Sequence, residues 1–348
     1  MTSKRSIVIE DKRRHFKTST FSNYKKTEVI KNLTLALYYG KEEESFFWTC
    51  ELLCSNMIIE LWNVYFSMMS KYIHVYNPKL PLFIEIKFNE FKKIALTNGD
   101  DFALRNEHNI RMIFCSITLI LCYSQKYTIL DDLNYKFKFN IENLYENLKA
   151  PNVSYIEYIY LPNDPKEFIV PFNELIYHLK ITKSKIDIHF WINWIIEYDI
   201  LCRKKKQFLF CQQRDLYIDK QEKSSKNIIW IIWDILIKLG KEQTKHPQLN
   251  KIIHTIFNLF TIKYMISYNK KRIHQIYHVI ELLLLSDNID FSIDVLKDRK
   301  RLSSLETNID VTFENIKKNE VQTKEDDQDK KSFKDKKMEL YENIYNNL

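Results

Sequence analysis

Apolar residues recur along most of the chain at spacings of three and four, which is the pattern of amphipathic helices. The first such stretch ends at Gly40, a residue type that commonly closes a helix, and the next begins at Glu42 with acidic residues in its first turn. The stretches that fit this spacing are Thr27–Tyr39, Glu42–Cys54, Ile58–Tyr76, Leu82–Ala95, Asn109–Tyr123, Asn173–Leu179, Ile186–Leu201, Asn227–Leu239, Leu249–Tyr268 and Arg272–Leu285. The sequence therefore predicts an all-α fold.

Residues 131–172 interrupt the helical pattern. Four of the seven prolines fall within them, and residues 153–161 alternate in the manner of a β-strand before the turn at Pro162–Pro165. We therefore predict a Pro-containing connector, either extended or folded as a short β-hairpin. It would join two helical units, one over residues 27–130 and the other over residues 173–290.

Both ends of the chain lack a sustained apolar pattern. Residues 1–26 are predicted to be a flexible basic arm, since the first 31 residues hold nine Lys and Arg against three Asp and Glu. The net charge of the whole chain is +8, so most of the excess lies in this arm. Residues 291–348 are charged with few apolar positions and are predicted to be a largely disordered tail.

The composition excludes several enzyme classes. With only 3 Gly in 348 residues, the chain cannot build the phosphate-binding loops of nucleotide-binding folds. The two Gly-Lys pairs, at Gly40 and Gly240, lack the upstream Gly and the following Ser or Thr of a P-loop. We therefore expect a non-enzymatic protein without a cofactor.

The apolar runs of the sequence also predict neither a membrane-spanning helix nor a secretion signal. The longest mainly apolar runs, Ile110–Tyr123 and Ile228–Leu239, are shorter than the roughly 20 residues that cross a bilayer. We expect an intracellular protein, cytoplasmic or nuclear, with no membrane partner and with its six cysteines reduced and buried.

One helix carries a set of residues that could bind a metal. His274 and His278 lie one turn apart, and Glu281 follows three residues later, so the three could share a face. The general base of a zinc protease is replaced by Gln275, and no ligand on a second element is evident from spacing. The favoured interpretation is therefore histidines of an amphipathic helix, without a metal.

Two basic strings are candidates for nucleic-acid binding. The first is in the arm, at Lys12, Arg13 and Arg14. The second ends a predicted helix and is followed by the aromatic residues Phe208 and Phe210; it consists of Arg203, Lys204, Lys205 and Lys206. The alternative role for the second string is to interact with the helix dipole.

Two predicted helices each carry a pair of tryptophans spaced by three residues. They are Trp191 with Trp194, and Trp230 with Trp233. This spacing places each pair on one face, which is typical of helix–helix packing. An exposed protein-binding face is the alternative.

One stretch resembles a known family. The points of similarity are Leu33 to Leu37 leading into Tyr39-Gly40-Lys41-Glu42, the pair Phe47-Trp48, Glu51-Leu52, a helix running to Ser70, and Asn77-Pro78-Lys79-Leu80-Pro81. Residues 31–82 thereby resemble the helical C-terminal collar of clamp-loader-related AAA+ ATPases of the replication-associated recombination type. The chain departs from that family at Lys71-Tyr72, and it lacks the ATPase portion. The composition also resembles that of proteins from large DNA viruses, in which case the compartment would be the host cell.

In the resembled family the collar brings subunits together. The resemblance therefore implies a helical interaction or scaffold protein, an accessory factor in DNA replication or repair, whose partner is another protein or a second copy. The expected contact residues are Phe47, Trp48, Trp62, Asn77 and Pro78. The alternative is a nucleic-acid-binding protein that contacts phosphates through the basic arm.

Overall fold

A computed structural model describes residues 7–11, 13, 16–98, 101–127, 135–216, 222–242, 247–296 and 300–321. The α-helices, in chain order, are α1 (Lys26–Tyr38), α2 (Glu42–Cys54), α3 (Ile58–Ser67), α4 (Leu80–Asn98), α5 (Asp101–Leu104), α6 (His108–Tyr123), α7 (Ile141–Tyr145), α8 (Ile169–Tyr177), α9 (Lys185–Lys204), α10 (Glu222–Ser225), α11 (Ile229–Glu242), α12 (Pro247–Thr261), α13 (Tyr268–Lys271), α14 (Ile273–Leu285) and α15 (Lys300–Lys317).

Short helical segments of other types extend or connect these helices. They are π-helical at Met68–Ile73 and His178–Thr182, and 3₁₀-helical at His74–Tyr76, Ser154–Ile156, Lys166–Phe168 and Ser286–Asn288. Within the described ranges no β-strand forms, and a single isolated bridge pairs Ser19 with Lys25. The all-α prediction is confirmed.

The helices group into two compact units. Of the described residues, 7–127 and 290–321 form unit 1, and 135–289 form unit 2. Unit 2 is thus inserted into the chain of unit 1. This differs from the predicted succession of arm, unit, connector, unit and tail, because both ends of the described chain belong to unit 1.

Unit 1 is built around α2, which packs against α1, α6 and α15. The buried face of α2 packs against α6, most of whose side chains are also buried. Three hydroxyl groups inside this core bond to one another. The Tyr65 hydroxyl lies 2.7 Å from Thr118 Oγ1, which is 3.1 Å from Thr49 Oγ1 and also donates to the Phe114 carbonyl. The core therefore buries polar atoms without leaving these three unpaired.

The described part of residues 7–26 packs onto unit 1, which corrects the expectation of a flexible arm for these positions. Ile9 and Phe21 are buried. The Phe21 N–H donates to Ser55 Oγ over 2.8 Å, and the Ile9 N–H donates to Asn106 Oδ1 over 2.9 Å. Apolar burial together with these long-range hydrogen bonds offsets the entropy lost on ordering the segment.

The C-terminal segment likewise is helical where the sequence indicates a disordered tail. Helix α15 packs on α2 and α6. It buries Ile309, Phe313 and Ile316, and Arg111 of α6 binds Asp310 over 3.1 Å. These apolar positions recur at spacings of four and three, which is a helical pattern among charged residues. Residues 322–348 of the predicted tail lie outside the described part of the chain.

The predicted hairpin at residues 153–170 is wrong. Ile156 and Ile159 are buried at a helical spacing of three, and the Ile159 N–H donates locally to the Ile156 carbonyl. The Leu161 N–H is bound by the carboxylate of Asp164 over 2.8 Å. Since these backbone groups are satisfied within the segment, none is left to pair across two strands.

The connector is part of unit 2, against the predicted boundary at residue 172. The buried carboxylate of Glu174, on α8, accepts from the N–H groups of Lys149 and Ala150, each over 3.0 Å. The Asn173 amide donates to the Asn152 carbonyl over 2.7 Å. Side chains of α8 therefore fix the preceding irregular chain through its backbone.

The tryptophan pairs of unit 2 lie in its core. Trp191, Trp194, Trp230 and Trp233 are all buried. The Trp230 indole N–H donates to the Ser224 carbonyl over 2.6 Å. Helix α11 packs against α12 and α14. The interpretation of these stripes as helix packing is confirmed, and the alternative of an exposed face is wrong.

None of the helices in the described ranges is both long and apolar enough to traverse a lipid bilayer.

Phe313 should be a main contributor to the docking of α15. Phe313→Ala removes a fully buried ring whose face lies 4.7 Å from the Arg111 guanidinium. We expect the free energy of unfolding to fall by about 3 to 5 kcal/mol, measured by urea denaturation. The control Val311→Ala, at an exposed position of the same helix, should change it by less than about 0.5 kcal/mol. Equal effects of the two variants would contradict the packing described.

All six cysteines should be unreactive in the native protein. Each is buried, and none forms a disulfide bond. Burial raises the pKa of Cys122 to about 11 and that of Cys211 to about 12, so little thiolate exists near neutrality. At about pH 8, iodoacetamide should label none of them before unfolding and all six in urea, as counted by intact mass. A cysteine that is labelled in the native protein as fast as in the unfolded protein would contradict its burial.

Candidate functional site

Helices α1 and α2 form an antiparallel pair because the chain reverses sharply at Gly40. The Lys41 N–H donates to the Ala36 carbonyl and the Gly40 N–H to the Leu37 carbonyl, which is a Schellman turn. Gly40 has a φ of 68°, in the left-handed region that L-residues rarely adopt. A Cβ there would also lie 3.2 Å from the Cys122 carbonyl oxygen. The turn therefore needs glycine, as the sequence predicted.

This pair of helices leaves an open groove of about 570 Å³ between them. It is lined from α1 by residues spaced three and four apart, and from the start of α2 by residues of one stripe. The lining residues are Asn32, Leu35, Ala36, Tyr39, Lys41, Glu43, Glu44, Phe47 and Trp48. Leu35 is 42% exposed and Tyr39 is 68% exposed, so apolar surface faces solvent.

The aromatic side chains of the groove are held in position by one another. Phe47 and Trp48 meet edge to face with ring centroids 4.8 Å apart. Tyr24 packs edge-on against both, at 5.4 Å from Trp48 and 6.4 Å from Phe47. Such contacts restrict the rings before any ligand arrives, which lowers the entropy lost on binding. We call the set Leu35, Tyr39, Phe47 and Trp48 the aromatic groove.

The polar rim of the aromatic groove is mostly acidic. Lys41 Nζ lies 2.8 Å from Glu44 Oε1, so these two charges largely neutralise each other. Glu43 forms no ion pair with any described cation, which leaves one net negative charge among the residues that line the groove. An apolar floor with an acidic edge suits an apolar side chain that is followed or preceded by a basic one.

Of the predicted contact residues, Phe47 and Trp48 line the groove, whereas the other three do not. Trp62 is only 5% exposed, and its ring packs against Phe88 and Phe114 with centroids 5.0 and 5.1 Å away. Trp62 is therefore a core residue of unit 1, and its prediction as a contact residue is corrected.

Asn77 and Pro78 are also buried, which removes them from a binding surface. The Asn77 amide donates to Ser124 Oγ and to the Val295 carbonyl, each over 3.0 Å. It thus ties the C-terminal part of unit 1 to the turn before α4. Its role is structural.

The predicted nucleic-acid residues of the arm divide into two groups. Arg13 is bound through its guanidinium to the buried carboxylate of Asp11 and to the Phe21 carbonyl, so it is held inside unit 1. The guanidinium of Arg13 beside Asp11 lowers the pKa of that carboxyl against the opposing effect of burial. Lys12 and Arg14 lie outside the described residues.

Only part of the second basic string is available to contact a nucleic acid. Arg203 is paired with the buried carboxylate of Asp199 one turn earlier, over 2.8 Å. Lys204, Lys205 and Lys206 are exposed at the end of α9.

His274, His278 and Glu281 do not assemble into a metal site. Glu281 is buried and its carboxylate lies 2.6 Å from Lys185 Nζ, which already neutralises it. In the described part of the chain, no group of three or more His, Cys, Asp or Glu side chains is arranged to hold a metal ion. The helical spacing therefore reflects packing of α14.

Sequence reasoning missed Leu35, Tyr39 and Tyr24. Leu35 belongs to the first predicted helix, where it lies two residues from both Leu33 and Leu37. Two residues correspond to about 200° on a helix, so Leu35 points away from the buried stripe. An off-phase Leu followed four residues later by Tyr is a signal of a second apolar face.

Gly40→Ala tests the turn that sets the groove. Because both the positive φ and the nearby Cys122 carbonyl oppose a side chain, we expect a loss of about 1 to 3 kcal/mol of unfolding free energy by thermal or urea denaturation. Lys183→Gly is the matched control, since Lys183 is exposed at a φ of 54°, and relief of its strain should stabilise by up to about 1 kcal/mol. Effects of the same sign would contradict this account.

Comparison of the chain with known protein families, with curated proteins and with solved structures found no match.

Proposed function

We propose that this chain is a non-enzymatic helical interaction protein that binds a short segment of a protein partner in the aromatic groove. The observation that carries the proposal is the exposure of Leu35 and Tyr39 beside the half-buried rings of Phe47 and Trp48. Large apolar side chains that remain exposed at the edge of a groove mark interaction surfaces more often than chance exposure does.

The dimensions and chemistry of the groove favour a peptide segment. A volume of about 570 Å³ holds several large side chains but lies open between two helices, as in grooves that receive an amphipathic helix. Tyr and Trp supply large contact area at low entropic cost, which is why they dominate binding energy at interfaces. The partner segment would carry Leu or an aromatic residue as its anchor.

The negative charge of the groove's rim indicates which residues should flank the apolar anchor of the partner segment. Glu43 is the unpaired member of the acidic rim, since Glu44 is bound to Lys41. A basic residue beside the anchor would meet Glu43, whereas an acidic one would be repelled. We therefore propose a segment in which Lys or Arg flanks the apolar anchor.

The resemblance to a clamp-loader-type collar supports the same surface. The aromatic groove lies within residues 31–82, and in the resembled family that region joins subunits. We propose that the partner segment belongs to another protein of DNA replication or repair, for which this chain is an accessory factor. A second copy of this chain as the partner would appear as a concentration-dependent dimer in light scattering.

A peptide-display selection against the wild-type protein tests the groove directly. Enriched peptides are expected to combine Leu or an aromatic residue with a neighbouring Lys or Arg. Their affinity, measured by fluorescence polarisation, should fall about tenfold or more in Leu35→Ala/Tyr39→Ala. Both positions are exposed, so the variant should keep its unfolding midpoint.

Two further variants test whether the selected peptides bind in the groove and whether its rim selects their charge. Ile59→Ala/Ile86→Ala removes two exposed apolar side chains of unit 1 outside the groove and should bind the peptides normally. Glu43→Lys should shift the preference of enriched peptides from basic to acidic flanking residues. Peptides that bind the groove variant as tightly as wild type would refute the proposed site.

A further inference from the structure

Unit 2 carries a second exposed surface, at the turn that follows α9. Lys204, Lys205 and Lys206 are all exposed there, and Phe208 is 53% exposed. The rings of Phe208 and Phe210 lie nearly parallel, at an angle of 10° with centroids 6.1 Å apart. Three exposed lysines are thus followed within four residues of chain by two aligned aromatic rings.

The positive charge of this surface is not consumed in ion pairs with described residues. At this end of α9 the carboxylates of Asp199 and Glu197 are occupied by Arg203 and Lys270. Lys204, Lys205 and Lys206 form no ion pair with a described carboxylate. Their charges are therefore available to an external anion, at the cost of little desolvation because the side chains are exposed.

The segment that bears the rings is anchored at both ends. At its start a Schellman turn closes α9, with the Gln207 N–H donating to the Cys202 carbonyl over 2.8 Å and the Lys206 N–H to the Arg203 carbonyl over 3.0 Å. At its end the buried Cys211 donates its N–H to the Lys226 carbonyl over 3.0 Å. Residues 207–210 are thus held on unit 2 rather than trailing into solvent.

We propose that Lys204–Phe210 is a binding site for single-stranded nucleic acid, with the three lysines contacting phosphates and Phe208 stacking on a base. Bases of a single strand are free to stack on an aromatic ring, whereas those of a duplex are stacked within the helix. The lysines alone would attract any polyanion, so the exposed ring is what selects the single strand. This site is separate from the aromatic groove and rests on different residues.

The composition of the site differs from the basic string recognised in the sequence. Arg203 leaves it because Asp199 holds its guanidinium. Phe208 and Phe210 belong to it because they follow the turn at Lys206 and their rings lie nearly parallel.

Fluorescence anisotropy with labelled oligo(dT) of about 15 nucleotides tests the site, alongside oligo(rU) and a duplex of equal length. The full-length protein should bind both single strands more tightly than the duplex, and the two single-strand arms tell a DNA preference from an RNA preference. Titrations from about 50 to 300 mM salt give the slope of log K against log salt.

Two variants separate charge from stacking. Lys204→Gln/Lys205→Gln/Lys206→Gln removes three phosphate contacts, so the salt slope should become shallower by about 2. Phe208→Ala should weaken single-strand binding about tenfold and leave both the slope and duplex binding unchanged.

Matched controls remove the same charge and ring area elsewhere. Lys31→Gln/Lys93→Gln/Lys251→Gln neutralises three exposed lysines, and Tyr145→Ala removes a ring that is also exposed; neither should alter binding. The groove variant Leu35→Ala/Tyr39→Ala should also bind the oligonucleotides normally. The proposal is overturned if the wild type shows no salt-dependent binding, if the control set weakens binding as much as the site variants, or if Phe208→Ala has no effect.

Discussion

Unit 1 depends on the burial of α2. This helix is covered on one side by α1 and on others by α6 and α15, so that most of its side chains, including the carboxylate of Glu51, are removed from water. A buried carboxylate is tolerated here because Ser22 donates to it twice, from its N–H and from its hydroxyl, each over 2.7 Å. The same packing leaves the edge of α2 that carries Phe47 and Trp48 only half covered. The groove therefore lies along the edge of α2 that the packing of the core leaves uncovered.

Buried charges join segments that are distant in the chain. Arg111 on α6 holds α15 through Asp310, and the buried Arg105 donates to the carbonyls of Asp11 and Cys54. In unit 2, Arg214 donates from both terminal nitrogens to Asp164, which also accepts the Gln212 N–H over 2.8 Å. Removing one partner of such a pair would leave the other charge buried without its counter-charge, which is strongly destabilising.

Both proposed binding surfaces begin at the C-terminal turn of a helix. At Gly40 the turn folds α2 back along α1, and at Lys206, with a φ of 60°, it directs an extended segment past the end of α9. In each case residues on both sides of the turn belong to the proposed surface. A chain with only 3 Gly must fill some left-handed positions with other residues, and Asn56, Lys183 and Lys206 are among those used.

The sequence by itself determined where most of the longer helices form, because helical periodicity and end signals are properties of neighbouring residues. It located α1, α2 and their glycine turn, the buried cysteines, and the tryptophan stripes of α9 and α11. The resemblance of residues 31–82 singled out Phe47 and Trp48, both of which line the groove.

Only the tertiary structure decided which apolar faces stay uncovered and which polar segments become ordered. Trp48 and Trp62 are the same residue type and both lie on helices, yet Trp62 is buried against Phe88 and Phe114, whereas Trp48 stays half-buried. Residues 7–26 and α15 hold few apolar residues among many charged ones, and both are ordered by contacts with distant parts of unit 1, such as Phe21 with Ser55 and Asp310 with Arg111. Exposure and order depend on neighbours far along the chain, and local periodicity carries no information about them.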